Sequence, residues 1–491
     1  MTELGVNEPQ AVIRNFEKIS AIPRCSGNEK AISDFLVQFA KDLGYEAFQD
    51  KVWNVIIKKP ATEGYENLDP VIIQGHMDMV CEKNKATDHD FSTDPLKLVV
   101  EGNILRAKGT TLGADDGIAV AYCMAILEDK TLSHPPLEML ITTQEETGLV
   151  GAMKLEGKKL TGRTLINIDG EEEGVFLVSC AGGVRTKLSL PIKRKKKKNK
   201  EDITMELSIT GLRGGHSGAD IHKGRGNANK LMGRLLYDLK RKMKFSLYAI
   251  EGGAKMNAIP RECTAIVGFE KNNLELAKKQ IKKIEKNIGI EFKKTDPDFK
   301  ILLNDVKQLP EEKALPLKKS VKNKIIHILL NIPNGINTMS KDIEGLVESS
   351  NNLGVITFEK DTIWFENSTR SSVESKKIEI NRRLEELANY TGCGFQNDSD
   401  YPGWKYREDS NLREHMKRVY QELYHKEPIV EAIHAGLECG LFLDVISDDL
   451  DMIAIGPNMH DVHTPDEHLE LDSAARVYNF LIETLKRMKE M

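Results

Sequence analysis

The chain has 491 residues, 40% of them hydrophobic and 30% charged, with 70 Lys and Arg against 75 Asp and Glu for a net charge of -5. This length exceeds one ordinary core and calls for two or three domains. The near-balance of charge gives no basis for a nucleic-acid or membrane partner, and no apolar run approaches the roughly 20 residues that span a bilayer.

The N-terminal MTELGVNEPQAVIRNFEKIS lacks a basic segment followed by an apolar core, so no secretory signal is read there and a cytoplasmic location is expected. Two helices are predicted over 9–46, around a loop at 22–28. Strands are predicted from Val52 (VWNVIIK), Val71 (VIIQG), Leu137 (LEMLITT) and Thr164 (TLINID), with a buried helix from Gly117 (GIAVAYCMAILED) between them. Alternating strands and helices predict an α/β catalytic domain whose central sheet is mostly parallel and flanked by helices. Near 185 the pattern changes. KLSLPIKRKKKKNKEDITMELSITGL reads as two strands joined by a turn, with the basic run 193–198 as a solvated hairpin tip. From there to about 404 the order reads as two successive α+β units. The first has strands near 203–210, 245–251 and 262–269 and helices near 225–243 and 273–288. The second has helices near 316–331 and 373–390 and strands near 336–340, 345–348, 353–359 and 362–369. A helix, a strand (MIAIG), a histidine-bearing loop and a terminal helix complete the chain. The expected organisation is a catalytic domain over 1–185 and 405–491, interrupted by an inserted α+β lid of two related sub-units over 186–404. The seven cysteines (Cys25, Cys81, Cys123, Cys180, Cys263, Cys393 and Cys439) show no paired spacing and are expected to be reduced thiols.

Five candidate metal ligands follow strand-like runs: His76, Asp115, Glu146, Asp169 and His463. Two imidazoles and three carboxylates are the inventory that a pair of hydrolytic cations sharing one carboxylate requires. In GHMDMV, Asp78 lies two residues from His76, on the same side of an extended chain, and is placed to orient the imidazole. In TLGADDG, Asp115 and Asp116 sit at the mouth of a helix, where acids also complement the helix dipole. In TTQEETG, Glu146 is assigned to the metal and Glu145 to general base and acid. Asp169 follows the strand in NIDGEEEG, with Glu171, Glu172 and Glu173 read as solvated. In NMHDVHTPDEH, His463 is preferred over His460. Each motif alone is weak evidence, and His76 with Asp78 alone reads better as an ordinary surface loop; the coincidence of all five carries the reading.

The motifs GHMDMV, TLGADDG, TTQEETG, NIDGEEEG, GGHSG, MNAIP, HAGLECG and MHDVHTP run through nearly the whole chain. Together they resemble the M20 family of metallopeptidases, in particular its aminoacyl-histidine dipeptidase branch. The resemblance implies that Asp115 bridges two divalent ions, zinc or else manganese or cobalt. His76 and Asp169 would complete one site, and Glu146 and His463 the other. It further implies that His216 in GGHSG polarises the scissile carbonyl, that Asn257 in MNAIP and Arg370 in NSTRSS bind the substrate's backbone and C-terminal carboxylate, and that the inserted domain mediates a homodimer. Glu438 in HAGLECG is placed near the substrate's free amine. The expected activity is hydrolysis of Xaa-His and related dipeptides. The alternatives are an N-acyl-amino-acid deacylase with the same metals, or an inactive metal-dependent scaffold.

Overall fold

A computed structural model describes residues 4, 9–197, 202–306, 308–359 and 361–491. The chain divides into two compact units, one formed by Met1–Ser179, Trp404–Ala432 and Leu437–Met491, the other by Cys180–Gly403 and Ile433–Gly436.

The first unit is built on an eight-stranded sheet in the order Glu46–Gln49, Val55–Lys59, Leu137–Thr142, Val71–His76, Thr164–Asn167, Asp451–Ala454, Val175–Cys180 and Ile429–Ile433. Its four central strands run parallel, and Val55–Lys59, Glu46–Gln49 and Val175–Cys180 are added to them antiparallel. Val71–His76 and Leu137–Thr142 are buried at every position, as continuous apolar runs in the middle of a parallel sheet should be. The helix Ala114–Glu128 is buried along its whole length up to Leu127, because Gly117, Ala119, Ala121 and Ala125 let neighbours approach from all sides. The strand beneath it must approach closely too. A Cβ at Gly75 would lie 2.3 Å from Ala119 Cβ and 2.5 Å from Asp116 Oδ2. A four-stranded sheet of Met459–His460, His468–Glu470, Ile104–Ala107 and Leu98–Glu101 fastens the late histidine loop beside the segment that leads into Asp115.

The second unit carries a nine-stranded sheet whose pairings are all antiparallel. Its order is Lys300–Asp305, Asp202–Thr210, Cys263–Glu270, Ser246–Gly252, Val347–Glu359, Thr362–Ser371, Gly182–Pro191 and Gly394–Tyr401, with Gly335–Met339 also paired to Val347–Glu359. The two expected α+β units are therefore halves of one sheet, joined at the register pair Gly252–Ile356. Helices Ala228–Lys242, Leu274–Glu291, Lys319–Asn331 and Glu374–Thr391 contribute Leu235, Ile281, Ile325 and Leu384 to its core.

Three expectations change. The strands around the basic run do not form a hairpin: Gly182–Pro191 pairs with Thr362–Ser371 and Gly394–Tyr401, whereas Asp202–Thr210 pairs with Cys263–Glu270 and Lys300–Asp305. The start of the basic run instead crosses residues 315–318. Arg194 donates to the Leu315 and Tyr248 carbonyls and Lys195 N–H to the Pro316 carbonyl. Residues 198–201 lie outside the described residues. The strands expected at 345–348 and 353–359 are one strand, Val347–Glu359, whose register shifts between Leu353 and Val355. Finally, the cysteines are not all reduced, because Cys25 and Cys81 form a disulfide with their Cα atoms 5.7 Å apart. The short bridge that pairs Cys25 with Met79 brings them together, and no spacing rule detects such a contact. Among the described residues no helix is long and apolar enough to cross a membrane.

Candidate metal centre

Four of the five candidate ligands sit in the loops that follow parallel strands or open the buried helix, and the sheet's geometry delivers them to one place. His76 ends its strand with its ring buried. Its Nε2 lies 3.1 Å from Asp115 Oδ1 and 3.6 Å from Asp169 Oδ1. The other oxygen of Asp115, Oδ2, lies 3.0 Å from His463 Nε2, which is also 2.8 Å from Glu146 Oε1. Asp115 thus offers one oxygen to each imidazole. Three overlapping triads have ligand atoms within 4.8 Å of one another: His76 with Asp116 and Asp169, His76 with Glu145 and Glu146, and Asp115 with Glu146 and His463. His460 turns away to Glu470, 3.1 Å off. Gln144 and His463 hold φ of 51° and 63°, a left-handed conformation that costs a side-chain-bearing residue about 1–2 kcal/mol; one residue precedes Glu145 and the other is itself a candidate ligand.

The carboxylates in this cluster outnumber the charges that could balance them. Burial, then the charges of Asp169, Glu438 and Glu146, push Glu145 well above the ordinary carboxylate range against the pull of His76. Burial also raises Glu146 and Asp169. His463 is driven up to about 11 by its contacts with Asp115 and Glu146, and His76 rises despite burial because three aspartates face it. Glu146 Oε1 approaches His463 without making a hydrogen bond, and Asp116 Oδ1 is buried with no partner. Two imidazole nitrogens and several carboxylate oxygens converging on one place are a donor set suited to divalent cations such as zinc. The residues present therefore fit a pair of metal ions.

Around this cluster lies a scaffold that the sequence only partly revealed. Burial opposes the charge of Asp78, but His76, Ser26 and the Glu145 N–H outweigh it and hold the carboxyl below its usual range. Its Oδ1 lies 3.5 Å from His76 Nδ1, whose hydrogen bond goes to the Asp78 backbone carbonyl at 3.2 Å. It accepts the Glu145 and Glu146 N–H groups at 3.1 and 3.3 Å, and Ser26 Oγ at 2.8 Å. It thus positions both glutamates as well as the imidazole. Two residues not anticipated brace the Asp115 loop. Buried Glu467 accepts the N–H groups of Leu112, Gly113 and Ala114 at 2.8, 3.0 and 2.8 Å. Buried Arg24 donates to the carbonyls of Gly113 and Met77 at 2.6 and 3.1 Å. Asp116, also unassigned before, accepts the backbone N–H of His76 at 3.1 Å.

Glu438 lies behind the candidate ligands. It is fully buried and accepts Gln74 Nε2 and Thr142 Oγ1, each at 2.6 Å, while Gln74 in turn accepts from Asn167. It sits under the strand ends, near enough for its charge to act on Glu145, and burial pushes it up to about 8, so it is a neutral acid near pH 7. Of the three glutamates after Asp169, Glu171 and Glu172 are exposed, whereas half-buried Glu173 pairs with Arg476 through two 2.6 Å contacts.

His216, Asn257 and Arg370 belong to the second unit. His216 Nδ1 accepts the Ala219 N–H at 3.1 Å, which leaves the ring proton on Nε2 as a donor. Burial and then Arg370 lower its pKa, so it is neutral near pH 7. Arg370 is buried, donates to the Tyr401 hydroxyl at 3.2 Å and keeps its Nε unpartnered. The side chain of Asn257 is exposed, and its carbonyl accepts from Ser217. The HAGLECG motif contributes a residue overlooked from sequence: His434, buried, 2.7 Å from Ser350 Oγ and lowered to about 3 by burial and by Arg370.

A model of the peptidase family M20/M25/M40 matches residues 72–487. Among curated proteins, the cytosol non-specific dipeptidase of Escherichia coli (strain K12) is 37% identical over 488 residues, covering 99% of each chain. Among solved structures, the aminoacylhistidine dipeptidase of Vibrio alginolyticus superposes with a TM-score of 0.92 at 36% identity, over 99% of this chain and 98% of that one. A tripeptidase of Staphylococcus aureus shares the fold at a TM-score of 0.56 and 14% identity, over 99% and 100% of the two chains.

Proposed function

This chain belongs to the M20/M25/M40 peptidase family, and on that basis we propose that it is a cytoplasmic, dimeric, dinuclear metal-dependent dipeptidase acting on Xaa-His and related dipeptides. The observation that carries the reading is Asp115, with one carboxylate oxygen on each of two imidazoles. The names of two full-length relatives, a cytosol non-specific dipeptidase and an aminoacylhistidine dipeptidase, support the substrate class and the compartment. The homodimer rests on family resemblance alone.

His76 and Asp169 would hold one ion, Glu146 and His463 the other, and Asp115 both. When bound, such a pair of cations lowers the pKa of a water from 15.7 toward about 7 and polarises a carbonyl. Glu145, a carboxyl already raised by burial and neighbouring charge, takes the proton from the attacking water and returns it to the leaving amine. Asp78 keeps the His76 ring oriented and holds the Glu145 backbone. His216, with its proton on Nε2, is the donor assigned to the scissile carbonyl oxygen. Arg370 is assigned to the substrate carboxylate, for which a guanidinium fork is suited, and Asn257 to the substrate backbone.

The test is hydrolysis of glycyl-histidine, N-acetylglycyl-histidine and glycyl-histidinamide by metal-loaded protein, with a chelated sample beside it. Cleavage of the free dipeptide that is lost on chelation and restored by zinc supports the proposal. Preference for the acetylated compound supports a deacylase instead, and metal-independent cleavage rejects the centre. Loss of efficiency on the amide that Arg370→Ala does not deepen supports the role given to Arg370.

A further inference from the structure

A cavity in the second unit, of about 510 Å³, is lined by five lysines drawn from three segments. Lys195 comes from the basic run, Lys240 and Lys244 from the end of the helix Ala228–Lys242 and the turn after it, and Lys319 and Lys322 from the first turn of the helix Lys319–Asn331. Among the described residues the lining carboxylates are Asp202 and Glu270, and buried Asp202 already accepts the Ser246 hydroxyl at 2.8 Å. Among the described residues none of the five amines forms an ion pair.

Solvation accounts for Lys240, Lys244 and Lys319, which are exposed, but not for Lys322, which is buried. Lysines at a helix C-terminus complement the dipole, which explains Lys240, but lysines at an N-terminus oppose it. Lys319 and Lys322 are at the N-terminus of a 13-residue helix that begins after Lys318, and no side chain caps it. Lys322 is also nine-tenths buried. It donates to the Phe245 carbonyl and lies 4.1 Å from the centroid of the Phe245 ring. Burial, then the charges of Lys240, Lys195 and Lys319, lower it to about 8, so the lysines are close enough to repel one another. Uncapped backbone N–H groups together with converging ammonium groups are what a phosphate needs. The floor of Met243, Phe245, Leu247 and Leu317 is apolar and could seat a ring.

We propose that this cavity binds a small polyphosphate-bearing molecule of the nucleoside diphosphate class. Its volume is that of a small-molecule site, which separates it from a surface that tracks a polymer. The test titrates the full-length, metal-loaded protein with ADP and separately with inorganic pyrophosphate by calorimetry at about 0.15 M salt, where exposed charges are screened beyond ~8 Å. The expected result is saturable 1:1 binding of ADP, weakened about tenfold or more by Lys322→Met and by the surface change Lys244→Glu. Lys154→Glu, which alters net charge equally but lies outside the cavity, should leave it unchanged. Pyrophosphate binding with the same variant pattern assigns recognition to the phosphates; binding of ADP alone assigns a share to the apolar floor. No saturable binding overturns the proposal. So does binding that Lys322→Met and Lys244→Glu leave intact, which would place the anion at the metals, or that Lys154→Glu weakens equally.

Discussion

The sharpest test of how the centre is built is Glu467, which lies outside the candidate ligands yet holds the loop that carries Asp115. Its carboxylate accepts three buried N–H groups at 2.8–3.0 Å from Leu112, Gly113 and Ala114, and its charge faces buried Arg24. In Glu467→Ala each amide loses its acceptor at about 1–3 kcal/mol, and Arg24 loses one neighbouring counter-charge. The gross loss is therefore on the order of 3–9 kcal/mol. Two effects reduce it: water can enter the space left behind, and Glu467 itself bears a desolvation cost, shown by a pKa that burial raises. The net expectation is about 3–5 kcal/mol. The assay is urea unfolding of chelated wild type and variant, so that metal binding does not enter, followed by measurement of zinc content after reloading. The variant should unfold at lower urea and hold zinc more weakly, because Asp115 loses the brace on its loop. If the chelated variant stays within about 1 kcal/mol of wild type, the three hydrogen bonds are not what positions the loop.

Three further outcomes follow from the same structure. Glu145→Ala should keep its metal content and lose at least about 10²-fold in turnover; a fall in bound metal parallel to activity would make Glu145 a ligand instead. Burial holds Glu438 up to about 8, against an ordinary value of 4.5, so the folded protein keeps a proton that the unfolded chain releases. Stability attributable to this group is accordingly full below pH 4.5 and lost as the pH rises toward 8, on the order of a few kcal/mol in all. The wild-type minus Glu438→Gln difference in unfolding free energy should decline across that window, and a flat difference would show that Glu438 ionises normally. Thiol titration of protein unfolded without reductant should count five free cysteines, because Cys25 and Cys81 are joined; seven would remove the disulfide.

His76, Glu146 and Asp169 were legible because each ends or follows an apolar strand and the strand ends of a parallel sheet converge at one edge, whereas Asp115 opens the buried helix and His463 lies in the loop of the small antiparallel sheet. Residues such as Arg24 and Glu467 were not legible, since a single buried charge in a loop has no periodicity and its partners are backbone groups far away in sequence. HAGLECG shows the composition around Glu438 but not that Gln74 and Thr142 close over it. The hairpin over the basic run failed for a similar reason. Two adjacent strand signals suggest a turn, but Gly182–Pro191 and Asp202–Thr210 find nonlocal partners in the same sheet. The polar strands Lys300–Asp305 and Gly394–Tyr401 lie at the two ends of that sheet's order, where one side needs no apolar alternation.

These distinctions bear on what removing the metal should do. If the cations assembled the centre, chelation would dissolve it along with the surrounding fold. The loops are instead tied by groups that involve no cation: Glu467 and Arg24 on the Asp115 loop, Asp78 between His76 and the two glutamates, and the Met459–His460 and His468–Glu470 pair that fixes the turn containing His463. Chelated protein should therefore stay folded, with near-native circular dichroism and a cooperative transition at lower temperature. What it loses is the linkage free energy of binding, about 4 kcal/mol when free metal stands near a thousandfold above its Kd. Loss of the cooperative transition on chelation would show that the cations, rather than Glu467, Arg24 and Asp78, hold the loops together.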